Sequence, residues 1–535
     1  MEKKTIRIDP KDNVLVALVG IEKGDLVVEN QTFTLQEPVA QKHKFTTVDL
    51  KAGEQVIMYG VPVATANHDL PKGSLISTSN IKHFADAPVI KENFSYQWSA
   101  PSVDQWKNRS FMGYHRSDGK VGTANHWLIV PLVFCENRNV KIIEEALIKG
   151  LGYYKPNQYE QMVRNKVSGS SEKADTLEQK RVFKNIDGIK ILNHDGGCGG
   201  TQQDSETLLR LLSGYVSHPN VAGATILSLG CQHAQVEWFK KVRNGLYPQN
   251  EKPVVFIEQQ ELKTEEKVVT TAIEQTLVHM EEVNKIERKP ASLDKLIVGL
   301  ECGGSDGFSG ISANPVLGET SDTLVTLGGS TILSEFPELN GVEQNIIDRC
   351  VDKPTAEKFL SIQDAYAKRA HAVGSGFDMN PSPGNVKDGL ITDAIKSAGA
   401  AKKGGKAPVS DVLDYTEPVT KPGLNLLCTP GNDVESTTGL AGSGANIILF
   451  TTGLGTPTGN PITPVIKVSS NTKVYEEMFD IIDFNTGPVA AGEASLKETS
   501  DRLIEKIIAV ASGEETKAMK LEQNDFIPWK RGVSL

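Results

Sequence analysis

An apolar run, Leu-Ile-Val-Gly-Leu at residues 296–300, gives way at once to the string ECGGSDGFSGISANP at residues 301–315. The run reads as a buried strand. A buried strand ending in a cluster of Gly, Ser, Asp and Asn is how open α/β sheets present chemistry. The glycines let the backbone turn sharply and approach a ligand, while polar side chains collect at the carboxyl end of the strand. Glu301, Cys302, Ser305, Asp306 and Asn314 place carboxylates, a thiol, a hydroxyl and an amide within this one stretch. An ordinary turn rich in small residues is the competing account. A carboxylate and a thiol, however, add nothing to a turn that Gly and Ser do not already supply.

A chain of 535 residues is too long for one core and implies two to four domains. With 39% hydrophobic and 23% charged residues, it has the balance of a globular protein in water. No apolar run approaches the roughly 20 residues that span a bilayer, and the opening MEKKTIRIDPKD lacks the apolar centre of a signal peptide. The net charge of −10 argues against a nucleic-acid partner, so an acidic substrate needs locally gathered Lys, Arg or metal. Six cysteines do not make a disulfide framework in a chain of this length. A reduced, cytoplasmic protein with a small-molecule ligand is expected, and a homo-oligomer is compatible with the sequence.

Short alternating runs at 14–18, 26–28, 56–59 and 61–64, separated by Lys-Gly and Ala-Gly turns, read as a small all-β domain over residues 1–86. Residues 87–107 read as a linker. From there the texture becomes α/β. Buried-strand candidates lie at 128–134, 189–192, 224–229, 254–257, 296–300, 331–333, 424–427 and 447–450. Helical patterns fall at 140–150, 205–213, 261–285 and 501–512. Strands alternating with helices predict mainly parallel sheets, in two α/β domains over 108–288 and 289–535.

Cys198, Cys231 and Cys302 each follow a strand candidate, and Cys135 ends another. Thiols on neighbouring parallel strands converge at one sheet edge. His194 lies four residues before Cys198, which turns the set towards a metal or a reactive thiol, although any single buried Cys serves equally as a small hydrophobe. There is no CxxC pair to fix a zinc site. His43-Lys44 pairs a proton carrier with a fixed charge, or is a polar dipeptide on a hairpin. Arg116, in a turn ahead of a strand, is suited to clamping a carboxylate or to solvation.

Seven further blocks carry a resemblance: HKF at 43–45, GYHRSDGKVGTAN at 113–125, HDGGCG at 194–199, LGC at 229–231, NPSPGN at 380–385, TPGND at 429–433 and FTTGLGTP at 450–457. With the 301–315 string, and in this order, they resemble the altronate and galactarate dehydratases, which remove water from sugar acids. The stretch PGLNLLCTPGND at 422–433 is more similar to the altronate branch. The resemblance implies an amino-terminal SAF-like β-clip domain. It also implies a hydro-lyase converting D-altronate to 2-keto-3-deoxy-D-gluconate, and dependence on ferrous iron. From the residues themselves, an oxygen-lined site of Glu301 and Asp306 suits manganese or magnesium as well, and the cysteines suit an iron–sulfur cluster.

The proton beside a carboxylate is very weakly acidic, so its removal requires a stabilised enediolate, a base, and an acid for the departing hydroxyl. On this reading His43, Lys44, Glu301, Ser305 and Asp306 are catalytic candidates. Arg116, Asn125, Asn314 and Asn385 hold substrate, and His194, Cys198, Cys231 and Cys302 hold metal. The loops at 384–385, 431–433 and 453–457 match no phosphate-binding pattern and read as amides around a polyol acid. Three departures from the family stand out: Ser77-Thr78-Ser79-Asn80 where relatives carry two histidines, Ala124 in place of an Arg, and Gln232 in place of a Glu. A galactarate substrate and a carbohydrate-binding protein without turnover are the alternatives.

Overall fold

The computed structural model describes residues 4–28, 31–85, 87–155, 157–169 and 180–532. Its contacts divide the chain into two compact units: residues 1–113 with 290–529, and residues 114–289 with 530–535. Among the described residues no helix is long and apolar enough to cross a membrane.

The first unit begins with small antiparallel sheets. Thr5–Ile6, Val14–Ala17 and Lys44–Thr46 form one, Gly24–Val28 and Gln31–Leu35 a second, and Gln55–Met58, Val61–Ala66 and Ile81–His83 a third. Alternation of apolar and polar residues buries Leu15, Ala17, Leu26, Phe33, Leu35 and Phe45 in a common core. The hairpin joining Gln55–Met58 to Val61–Ala66 turns on Tyr59 and Gly60, both at positive φ, which matches the right-handed twist of the strands.

The same unit continues into a seven-stranded sheet in the order Val409–Leu413, Gly423–Leu427, Ser330–Leu333, Ile297–Cys302, Ile447–Thr452, Val465–Ser469, Phe484–Asn485. Every pair in it is parallel. The second unit holds a four-stranded parallel sheet in the order Gly188–Ile191, His126–Pro131, Val221–Ser228, Val254–Glu258. Helices Asn137–Gly150 and Glu265–Val283 bury Val140, Ile143, Leu147, Val268, Ala272 and Met280 against it. A β-rich amino-terminal region followed by parallel α/β regions is the fold class expected from the sequence. The helix expected over 261–285 is instead two, Gln259–Leu262 and Glu265–Val283. Lys263 stands between them at φ +72, and the Thr264 hydroxyl caps the second by accepting from the Lys267 amide.

Candidate active site

Ile297–Cys302 lies at the centre of the seven-stranded sheet. The chain leaves it towards Ser330–Leu333 on one side and later returns to its other side as Ile447–Thr452. A reversal of this kind opens a crevice at the carboxyl ends of the strands, where α/β enzymes bind their ligands. Backbone bonds from Gly303 to Thr451 (3.0 Å) and from Gly453 and Leu454 to Gly304 (3.0 Å each) knit the loops that line it.

Asp306 is the hub of this edge, fully buried. Its Oδ1 accepts from the hydroxyls of Ser470 (2.8 Å) and Ser309 (3.0 Å), and its Oδ2 accepts from Asn471 Nδ2 at 3.3 Å. Lys42 Nζ lies 2.9 Å from Oδ2 and 3.5 Å from Asp388. Burial works against the Lys42 charge, but the Asp306 and Asp388 carboxylates outweigh it and hold the amine above its ordinary value. Only glycine fits at 453, because a Cβ there would stand 2.2 Å from Asp306 Cγ.

Lys44 is 1% exposed, and its ammonium donates to the Gly389 carbonyl at 2.6 Å. Gly389 reaches it from φ +92, a backbone position that glycine occupies without strain. Burial, with the like charge of Lys42 adding to it, lowers Lys44 to about 7 against the pull of Asp306. His43 faces outward, half-buried, with Nδ1 3.2 Å from the Gln41 carbonyl.

A second buried group starts at Glu301 and Cys302. Glu301 Oε2 accepts from Ser334 (2.7 Å) and Ser436 (2.6 Å), while its buried Oε1 has no partner. Burial, reinforced by Glu335, raises Glu301 well above the usual carboxyl range. The Cys302 thiol, pushed up by burial and then by Glu335 and Glu338, donates to Glu338 Oε2 at 2.9 Å. Lys403 Nζ stands 2.8 Å from both Cys302 Sγ and Glu335 Oε2, and Lys396 Nζ 2.7 Å from Glu338 Oε1. Burial and Glu338 push Glu335 up. Glu338 is drawn down by Lys396 and Lys403 despite its own burial. Glu335 sits at φ +68 and Lys42 at φ +73, conformations costing on the order of 1–3 kcal/mol that persist where surrounding structure enforces them, as at functional sites.

The remaining sequence candidates are placed as follows. Asn385 closes a capping box with Ser382 and donates to the Ser305 carbonyl at 2.7 Å, so it shapes the loop that carries Asp306. Asn314 is buried between Thr451 Oγ1 (2.8 Å) and the Gly399 carbonyl (3.0 Å). In the second unit, Arg116 donates to Asn125 Oδ1 (2.8 Å) and the Pro219 carbonyl (2.8 Å). Asn125 donates in turn to the Asn185 carbonyl at 2.6 Å. His194 Nε2 lies 2.7 Å from the Pro131 carbonyl and Nδ1 accepts from the Gly196 amide at 3.1 Å; burial lowers it to about 4, leaving it neutral. Cys198 and Cys231 belong to the second unit and Cys302 to the first. Lys42, Glu335, Glu338, Lys396 and Lys403 were not among the sequence candidates.

Donor atoms of Cys302, Glu335 and Glu338 lie within 4.8 Å of one another, the gathering a divalent ion would need. The cation already there is Lys403, with Lys396 on the far oxygen of Glu338. A metal would have to displace an ammonium bonded to two of its three ligands, so this group does not fit one.

Buried amines and carboxyls gathered at the switch point of a parallel sheet are the makings of an enzyme active site. Three family models cover the chain: the altronate/galactarate dehydratase SAF domain over residues 3–84, the second domain of D-galactarate dehydratase/altronate hydrolase over 113–284, and the carboxy-terminal domain of D-galactarate/altronate dehydratase over 293–534. Altronate dehydratase of Escherichia coli (strain K12) is 33% identical over 99% of both chains. That of Bacillus subtilis (strain 168) is 32% identical over the whole of both. The galactarate dehydratase (L-threo-forming) of E. coli is 28% identical over 95% of this chain and 93% of its own. The chain belongs to the altronate and galactarate dehydratase family of hydro-lyases.

Proposed function

We propose that this hydro-lyase dehydrates D-altronate to 2-keto-3-deoxy-D-gluconate. The observation that carries the chemistry is Lys44, a buried amine lowered to about 7 and set beside the Asp306–Lys42 pair. A neutral amine near neutral pH is a competent base, and burial is the usual means of making one. Lys44 takes the proton next to the substrate carboxylate, and Lys42 carries fixed positive charge towards the enediolate that develops. Glu335, held protonated to higher pH than an ordinary carboxyl, gives its proton to the departing hydroxyl. Water leaves and the resulting enol takes up a proton at the carbon that lost the hydroxyl to become the ketone. The C–H next to the carboxylate and the neighbouring C–O bond break, a C–H forms at that neighbouring carbon, and the remaining hydroxyl oxygen becomes the carbonyl as its proton is lost.

The choice of altronate rests on the greater likeness to the two altronate dehydratases. Purified enzyme offered a panel of sugar acids should form a 2-keto-3-deoxy acid fastest from altronate. A preference for galactarate would replace the substrate and keep the class. Absence of product from every sugar acid would remove the function.

Asp306→Asn separates a structural from a positioning role. The amide keeps the bonds from Ser470 and Ser309 but loses the charge that pairs Lys42 and supports the Lys44 proton. Turnover should fall about a hundredfold or more. The residual activity should show its acid limb shifted to lower pH, because Lys44 loses a proton more readily without the carboxylate. A lowered melting temperature with specific activity and pH profile unchanged would mean that Asp306 only builds the loop.

A further inference from the structure

We propose that a cavity between the amino-terminal β-rich region and the helix Ala313–Thr326 binds a small organic anion carrying a carboxylate or phosphate group. Both of its sides belong to the first compact unit. Its volume is about 350 Å³, within the roughly 300–1,000 Å³ of small-molecule sites. Lys42, Lys44, Asp306 and Glu335 do not line it, so it is separate from the crevice already described and independent of which sugar acid is dehydrated.

One side of the cavity is the hairpin turn Tyr59-Gly60 with Asp9. The helix contributes Pro315, Gly318, Glu319 and Asp322, whose spacing puts them on one face. Arg349 and the turn after helix Asp393–Ala401, with Lys402 and Lys406, complete it. These walls are fixed. A Cβ on Gly318 would stand 2.3 Å from the Lys402 carbonyl oxygen. The Asp322 carboxylate accepts from the amides of Lys406 (2.9 Å) and Ala407 (2.8 Å), and the Tyr96 hydroxyl donates to the Lys406 carbonyl at 2.9 Å.

Two cations reach this cavity with no anion to answer them. Arg349 is only 7% exposed, although arginine is seldom buried unless paired with an acid. Its Nε and Nη2 donate to the Ala407 carbonyl (3.2 and 2.7 Å) and Nη2 also to that of Gly404 (3.1 Å). Those bonds lock the guanidinium and leave Nη1 unbonded. The half-buried Lys402 ammonium makes no hydrogen bond or ion pair among the described residues and lies 5.9 Å from the centre of the Tyr59 ring. Its neighbour Lys403, by contrast, is committed to Glu335 and Cys302. Burial, with Lys406 and Arg349 adding to it, lowers Lys402 against the pull of Asp9 and Asp12. The carboxylates present do not compensate: Asp322 is taken up by backbone amides, Asp9 accepts from the Lys11 amide at 3.0 Å, and Glu319 forms no ion pair. An oxyanion shared by Arg349 Nη1 and Lys402 supplies the missing charge-assisted bonds, and Val61, Val342 and Leu496 offer apolar surface to its carbon skeleton.

The cavity meets the chemistry through Tyr59. That side chain is buried, and it packs so closely on Gly310 that a Cβ there would stand 2.2 Å from the Tyr59 hydroxyl oxygen. Gly310 lies in the glycine-rich string that also carries Asp306. An anion held by the hairpin side and the helix side together binds only their docked arrangement, and by mass action stabilises it. The same arrangement brings Lys42 to Asp306.

The test is calorimetric titration of the full-length protein with inorganic phosphate, glycerol phosphate and 2-keto-3-deoxy-D-gluconate. At least one should bind; binding of the first two marks a phosphate ligand, and binding of the third alone a carboxylate. Lys402→Met should weaken that binding about tenfold or more, the range for loss of a hydrogen bond to a charged group, while Lys44→Met leaves it unchanged. Glu319→Gln, which takes a carboxylate out of the lining, should tighten it. The anion that binds should raise the melting temperature of the parent and not that of Lys402→Met. Should Lys402→Met fail to fold, acetic anhydride labelling of the unaltered protein decides, because the bound anion should protect the Lys402 amine. No binding by any of the three, binding that survives Lys402→Met but not Lys44→Met, or equal labelling of Lys402 with and without anion would each overturn the assignment.

Discussion

Lys44→Met should reduce turnover by about a hundred- to ten-thousand-fold, the range for loss of a proton-transfer group. Its effect on stability should be small. The Gly389 carbonyl loses its donor, at about 1–3 kcal/mol, but the fold no longer has to bury an amine. In the unaltered enzyme kcat/KM should rise with pH through about 7, as the Lys44 ammonium gives up its proton. The direction follows from the role: a base works deprotonated, so activity is lost below its titration. The variant should lack that limb, and a small exogenous amine should restore part of the rate. Activity within about tenfold of the parent, or an unchanged acid limb, would exclude Lys44 as the base.

Lys403→Met should destabilise the fold by about 3–5 kcal/mol, as expected when one member of a buried charge group is removed. Glu335 then loses its cation, and Glu338 keeps only Lys396. The stranded carboxylate takes up a proton, so its folded titration rises further above its unfolded value. A group raised in this way costs nothing below its unfolded titration and penalises folding above it. The deficit against the parent should therefore be largest at neutral pH and shrink as pH falls towards the ordinary Glu value of 4.5. Denaturant unfolding of both proteins at several pH values measures it. A deficit under about 1 kcal/mol, or one that does not vary with pH, would mean that Lys403 is not holding the group together.

The sequence announces its strands better than its charges. All eight buried-strand candidates are strands, because unbroken apolar runs have few alternatives in a parallel sheet. The strands Val409–Leu413 and Val465–Ser469 escape notice because Asp411 and Lys467 interrupt them. Ala313–Thr326 shows no helical stripe because nearly its whole circumference is buried. Within the site, Glu301, Cys302 and Asp306 are legible from one string. Lys403 is not: in Ala-Lys-Lys-Gly-Gly-Lys nothing local marks it, and only acidic groups distant in sequence, Cys302, Glu335 and Glu338 first among them, keep it charged inside the protein. Lys42 is hidden beside its neighbour His43, since nothing local says which of two adjacent polar residues turns inward. Glu335 and Glu338 follow the strand at 330–333 in a segment that carries no motif of its own.

The site also has a history in time. Lys44 leaves the ribosome 345 residues before the Gly389 carbonyl that receives it, and the second unit is synthesised in between. At roughly 5–20 residues per second, that interval is about 17–70 s. Throughout it the amine stands in water with an ordinary affinity for its proton, and its titration is lowered only when the segment around Gly389 folds over it. On the proposed mechanism nascent and truncated chains are therefore chemically silent, and competence arrives in one late step together with the finished fold.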